Sequence, residues 1–361
     1  MISKECISIE WIKKVSSQNK NVDKILVEKA VRALKLLEGL VEEKLEFVFK
    51  GGTSLMLLLE STKRLSIDID IIIENKVDLE KQFANIVKNK EFTRVELQER
   101  RKSSHTQKVH YKFYYKPAHK TAQEEEYILL DIVYQKPLYN RLAKTNIDSP
   151  FVKQDGDALK VTTPDIDNIL GDKLTAFAPD TTGIPYERSG HSMSMEIMKQ
   201  LYDIGSIFEA SSNFEATKTA FKEFAKEQLK YREIDEDISL VLDDIYDTAL
   251  TICTRGKSGK ARFTELEQGI RRVNAFIFSE NYHIEKAITN ASKAAYLATA
   301  IKYDYNEIQK FSNAQEVKDW IIEQPFETRL NKLKKSNPEA FFYWYMIYEL
   351  ENENEKQVTK K

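Results

Sequence analysis

The chain has 361 residues, 42% of them apolar, and 55 Lys plus Arg against 57 Asp plus Glu, for a net charge of −2. Length and composition support two or three domains with buried cores, and exclude a disordered chain or a globally basic nucleic-acid binder. Any basic surface has to be local.

The two cysteines, Cys6 and Cys253, lie far apart, and the five histidines form no cluster with zinc-ligand spacing. The N-terminal MISKECISIEW lacks the apolar core of a signal peptide, and no apolar run approaches the roughly 18 residues of a membrane span. These features predict a soluble, cytoplasmic protein.

From Val22 to about Glu46, Ile25, Leu26, Val27, Ala30, Leu34, Leu37, Leu40 and Val41 recur at helical spacing and predict a long amphipathic helix. A strand, LEFVFK, then runs into Gly51 and Gly52, and TSLMLLLE predicts a short buried helix capped by Thr53 or Ser54. SIDIDIII is the next strand and VDLEKQFANIVKN a helix. Segments 92–101, 108–116 and 126–135 alternate like half-buried strands, which predicts a mixed sheet with antiparallel members. Beyond Pro164 the pattern turns helical, through TPDIDNILGDKLTAFA and SMSMEIMKQLYDIGSIFEA to PEAFFYWYMIYEL. The expected class is α+β: a mixed sheet with flanking helices over 1–160, an all-helical domain over 161–350, and a flexible tail at 351–361.

Charge inside the most apolar strand needs a reason. Residues i and i+2 of a strand share a face, about 7 Å apart, so Asp68 and Asp70 stand side by side while Ile67, Ile69 and Ile71 fill the other face. A divalent cation relieves the repulsion, because Mg²⁺ takes one or two carboxylates and completes its shell with water and substrate phosphates. Asp131, in the apolar strand EYILLDIVY, is the candidate third ligand. Three such carboxylates could hold two metals about 3.5–4 Å apart. Gly51 and Gly52 admit a phosphate to the backbone N–H groups, the helix behind them points its positive end there, and Ser54 could add a hydroxyl.

Strand, Gly-Gly, helix and a D-x-D strand resemble the polymerase-beta-like nucleotidyltransferase superfamily. Within it, GGTSLMLLLESTKRLSIDIDI is similar to the first motif of the AbiEii/AbiGii toxin family, also called MenT-like nucleotidyltransferases. The resemblance implies that Asp68 and Asp70 are metal ligands, with Asp131 the third strand carboxylate, and that Arg64 and Ser66 belong to the nucleotide-facing turn beside Gly51, Gly52, Thr53 and Ser54. GDKLTAFA matches the family's helical lysine motif and implies that Lys173 contacts the triphosphate. KQLYDIGSIF resembles a fourth motif through Lys199 and Asp203, with Gln200 where an acid is usual. The helical domain would thus lend Lys and Asp to the active site.

The implied activity is Mg²⁺-dependent nucleotide transfer from a nucleoside triphosphate to an acceptor hydroxyl, with release of pyrophosphate, by a toxin of a toxin–antitoxin or abortive-infection pair. An RNA acceptor, the 3′ end of tRNA, and a cognate antitoxin are the implied partners, with no membrane. A protein or small-molecule acceptor fits the same chemistry, and the alternative from another class is a catalytically silent nucleotide-binding module acting through a protein partner. Between 88 and 120, ten Lys or Arg face three Glu, with Tyr111, Phe113, Tyr114 and Tyr115 interleaved. This segment reads either as a nucleic-acid-holding hairpin or as a solvated hairpin whose aromatics alternate into the core. TRGKSGKARF, 254–263, lacks the first glycine of a Walker loop and follows a helical pattern, so it reads as a basic loop.

Overall fold

A computed structural model describes residues 1–20, 22–59, 64–98, 107–119 and 121–359. Arg100, Arg101, Lys102 and Lys120 of the basic segment lie outside these residues. The chain divides into two compact units, residues 1–165 with 276–280, and residues 166–275 with 281–361.

The first unit opens with α1 (Ile9–Gln18) and α2 (Lys24–Glu42). Asp23 caps α2, its carboxylate accepting from Ile25 N at 2.7 Å. The apolar stripe Val27, Ala30, Val31, Leu34 and Leu37 is fully buried, and the helix ends before Lys44, whose φ of 57° is left-handed. Then come β1 (Val48–Lys50), α3 (Gly51–Leu58), β2 (Ile69–Ile73), α4 (Glu80–Asn89), β3 (Arg94–Gln98), β4 (Gln107–Tyr115), β5 (Glu126–Tyr134), β6 (Leu142–Asn146) and β7 (Lys160–Pro164).

Five strands form a mixed sheet of order β1-β2-β5-β4-β3. Only β2 and β5 run parallel; the other pairs are antiparallel. One face is apolar, with Ile69, Ile71, Phe113, Tyr115, Ile128, Leu130 and Ile132 all buried. Helices α4 and α2 cover that face: Phe83 sets its ring edge on Tyr111 at 4.8 Å and on Phe113 at 5.2 Å, and Arg32 lies 4.6 Å over the Tyr115 ring. Thus Tyr111, Phe113 and Tyr115 alternate into the core, while Lys112 and Tyr114 point the other way. Segment 276–280 packs with this unit: Phe276 O accepts from Leu65 N at 2.9 Å, and Phe278 meets Phe151 edge-on at 5.4 Å. A separate ribbon pairs β6 with β7.

The second unit contains α5 (Ile166–Ala176), a hairpin of β8 (Glu187–Arg188) and β9 (His191–Ser192), then α6 (Ser194–Ala210), α7 (Phe214–Tyr231), α8 (Ile238–Cys253), α9 (Phe263–Val273), α10 (Ile284–Lys302), α11 (Leu333–Ser336) and α12 (Pro338–Thr359). Helix α10 carries Ala287, Ala291, Ala294, Ala295 and Ala298, all buried, small side chains that let neighbouring helices approach. The aromatic run of α12 is core: Tyr343 sets an edge on Phe208 at 5.3 Å and Trp344 on Tyr246 at 5.5 Å. The helix continues to Thr359, through most of the segment whose composition suggested a tail. Cys6 and Cys253 are free and buried in different units. Among the described residues, no helix is long and apolar enough to cross a membrane.

Candidate active site

The strand register places the acidic residues. Asp70 pairs with Asp131 across the parallel β2–β5 step, Asp131 pairs with His110 on β4, and Lys50 on β1 pairs with Asp70. Directly opposed residues point to the same face, and His110 pairs in turn with Gln98 on β3. One row therefore crosses all five strands: Lys50, Asp70, Asp131, His110, Gln98. It lies on the face opposite the apolar core, so two carboxylates sit beside each other with a basic side chain at either flank.

Asp68 is exposed and lies one residue ahead of β2 rather than within it. Its carbonyl accepts from Thr53 Oγ1 at 2.5 Å, which ties the strand entry to α3. That helix opens at Gly51, two residues ahead of the expected cap, and its N-cap residue Lys50 makes no side-chain cap bond. Thr53 and Ser54 are fully buried, and Ser54 Oγ donates back to Gly51 O at 2.8 Å. Their hydroxyls brace the turn from inside.

The two glycines are required by contact. Gly51 has φ of +83°, and a methyl group on it would run into the Asp70 carboxylate. At Gly52 the added carbon would stand 2.5 Å from Arg64 Nη2 and 2.9 Å from Ser66 Oγ. The turn is thus pressed between Asp70 on one side and Arg64 with Ser66 on the other. Arg64 is itself buried, with Nη1 donating to Leu65 O at 3.1 Å.

His110 escaped the sequence reading. Its Nδ1 lies 2.6 Å from Asp131 Oδ1, with side-chain exposures of 12% and 27%. Alternation in VHYKFYY puts His110 on the face of Lys112, but nothing local names its neighbour across the sheet. On that same face Lys112 Nζ lies 4.4 Å over the Tyr127 ring, and the Arg94 guanidinium 3.5 Å over Tyr114.

The structure places the remaining candidates in the helical unit. Lys173, in the last turn of α5, meets Asp203 Oδ2 on α6 at 2.8 Å and Gln200 Oε1 at 2.9 Å. Lys173 and Asp203 are buried. Lys199 points to Glu196, 2.9 Å away on its own helix. Gly171 explains part of the GDK motif, since a side chain there would strike Thr217 O and Phe221 N of α7 at 2.6 and 2.7 Å. Loop 254–263 follows a helix, turns at Gly256 and Gly259 with φ of 74° and 86°, and leaves Lys257 and Lys260 exposed.

The donor set suits a hard divalent cation. Neighbouring strands are about 4.8 Å apart, so Asp70 and Asp131, directly paired across the β2–β5 step, are close enough for one cation to take an oxygen from each. Among the described residues no three His, Cys, Asp or Glu side chains close on one metal position. Mg²⁺ asks for less, one or two carboxylates with water and phosphate oxygens.

The chain matches the model of the nucleotidyl transferase AbiEii toxin family, type IV toxin–antitoxin system, over residues 35–320. No curated protein matches it. Among solved structures it is similar to MenT4, a nucleotidyltransferase toxin of Mycobacterium tuberculosis, at 12% identity and a TM-score of 0.41, covering 80% of this chain and 89% of that one. It is also similar to an antigenic nucleotidyltransferase-like protein from Paracoccidioides brasiliensis, at 17% identity and a TM-score of 0.31, covering 58% of this chain and 91% of that one. The family match spans most of the sequence, and the chain belongs to the AbiEii family of nucleotidyltransferase toxins.

Proposed function

We propose that this nucleotidyltransferase is Mg²⁺-dependent and transfers a nucleotide from a nucleoside triphosphate to the 3′ hydroxyl of an RNA, with tRNA the first acceptor to test. The observation that carries the reading is the cross-strand row with Asp70 and Asp131 side by side above a glycine turn. The acceptor oxygen attacks the α-phosphorus, the bond to the bridging oxygen breaks, and pyrophosphate leaves. A divalent cation held by Asp68, Asp70 and Asp131 would neutralise charge on the triphosphate and on the attacking oxygen.

The chain's own groups do the rest. The N–H groups of the first turn of α3, uncapped by any side chain of Lys50, bind phosphate with help from the helix dipole. Arg64 and Ser66, facing Gly52, fix the turn and present positive charge. Lys173 is proposed as the triphosphate contact, as the resemblance implies, its ammonium held within the helical unit by Asp203 and Gln200. Lys112 and Arg94, stacked on tyrosines on the carboxylate face, and the exposed Lys257 and Lys260 are the proposed contacts to an RNA backbone. A cognate antitoxin would be the protein partner, and a cytoplasmic location fits such a pair.

The test incubates the protein and an Asp70→Asn variant with total tRNA, Mg²⁺ and each labelled nucleoside triphosphate. Transfer to RNA by the wild type, reduced at least about a hundredfold in the variant, supports the reading. Undiminished transfer by Asp70→Asn overturns the carboxylate mechanism, and labelling of protein in place of RNA overturns the acceptor.

A further inference from the structure

We infer that His110 is a positioning residue for Asp131: it holds one carboxylate oxygen so that the other is fixed on the Asp70 side of the row. The inference rests on the reading of Asp70 and Asp131 as metal donors. Three observations carry it. First, His110 and Asp131 are directly paired in the β4–β5 register, so the contact follows from the sheet and not from a mobile loop. Second, the Nδ1 to Oδ1 distance is 2.6 Å, short enough for a charge-assisted hydrogen bond. Third, the row order is Asp70, Asp131, His110, so the imidazole engages Asp131 from the side away from Asp70.

The chemistry follows from the donor inventory. An ionised carboxylate only accepts hydrogen bonds, so the proton between the two groups belongs on Nδ1. A lone aspartate on a half-open strand samples several χ2 orientations, because that torsion is broad and roughly two-fold. With Oδ1 held by Nδ1–H, the side chain keeps one orientation, and the cation meets a preset oxygen instead of ordering a free carboxylate. Partners of this kind typically change metal affinity or activity by about 10–100-fold when removed. Lys50 stands at the opposite end of the row, beside Asp70.

The test uses the full chain, with His110→Ala, His110→Asn, Asp131→Ala and Asp70→Asn, all first checked for folding by thermal melting. Asparagine can put an N–H close to where Nδ1 stands, so it serves as the rescuing variant. Mn²⁺ affinity is measured by electron paramagnetic resonance with a non-hydrolysable nucleotide, independently of any acceptor. His110→Ala should weaken Mn²⁺ by at least about tenfold, and His110→Asn should recover to within about threefold of wild type. Where transfer is measured, His110→Ala should lower kcat at limiting metal while the KM for nucleotide moves less than about threefold. The imidazole ¹⁵N spectrum should show Nδ1 protonated in wild type and the signature lost in Asp131→Ala. Equal Mn²⁺ affinity in His110→Ala and wild type, with Asp70→Asn impaired, overturns the role of His110 alone. Asparagine no better than alanine also overturns it. If Asp70→Asn too binds Mn²⁺ like wild type, the metal reading falls and this inference falls with it.

Discussion

Gly51 shows how tightly the carboxylate site is drawn at the level of single residues. Its φ of +83° is open to glycine at little cost, and its Cα hydrogen faces the Asp70 carboxylate with no room for a methyl. Gly51→Ala should therefore act twice: the left-handed backbone costs about 1–2 kcal/mol, and Asp70 has to leave its place. Nucleotide transfer should fall more than tenfold while the fold survives, measured by initial rates beside a melting curve; an active Gly51→Ala would mean that Asp70 has slack. Asp70 and the glycine turn were legible in the sequence because charge in an apolar strand, and glycine at a strand–helix junction, are each locally costly and ask for a reason; Asp68, expected beside Asp70 within that strand, instead lies exposed one residue ahead of it. His110 was not legible. Its role depends on which residue of β5 stands opposite, and strand register is set by the whole sheet rather than by VHYKFYY.

Among the elements, those with strong periodicity were legible. Helix α2 was anticipated from its apolar stripe, and the antiparallel members of the sheet from alternation in 108–116 and 126–135. The start of α3 was not, because Thr53 and Ser54 look like caps yet turn their hydroxyls inward to Asp68 O and Gly51 O. The α5–α6 contact carries the next prediction. Lys173 and Asp203 form a buried ion pair at 2.8 Å, and removing one partner of such a pair costs about 3–5 kcal/mol because the remaining buried charge loses its counter-charge. Lys173→Met alone should lower stability by that order, and adding Asp203→Leu should restore much of it. If Lys173 also serves the triphosphate, the double variant should be stable and still inactive. A stable, fully active double variant would make the pair purely structural. Gln200→Glu offers the converse change: a second acid beside Lys173 binds the ammonium more firmly and should raise the KM for nucleotide.

For the molecule as a whole, a net charge of −2 says little about pH response, because that response depends on the individual groups whose pKa values folding shifts. Asp244 on α8 is one. Its Oδ2 accepts from Asp180 N and Thr181 N, both at 2.9 Å, and from Thr181 Oγ1 at 2.8 Å, pinning the segment that follows α5. Burial outweighs those bonds and pushes its pKa up to about 6 from an ordinary 3.8. The folded chain then holds a proton that the unfolded chain has lost across the interval from about pH 4 to about pH 6. Stability from this group is present below that interval and declines as pH rises through it, by on the order of 3 kcal/mol at about 1.4 kcal/mol per pKa unit. Asp244→Asn removes the titrating group while keeping an oxygen for the backbone donors. Urea denaturation of both proteins from pH 4 to pH 7 isolates the effect, since every other titrating group cancels in the difference. The advantage of wild type over Asp244→Asn should shrink as pH rises, with the change complete by about pH 7. A flat difference would mean that these three donors, with Thr248 Oγ1 donating to Oδ1 at 3.3 Å, hold the carboxylate ionised throughout, and that their hydrogen bonds, not burial, decide its charge.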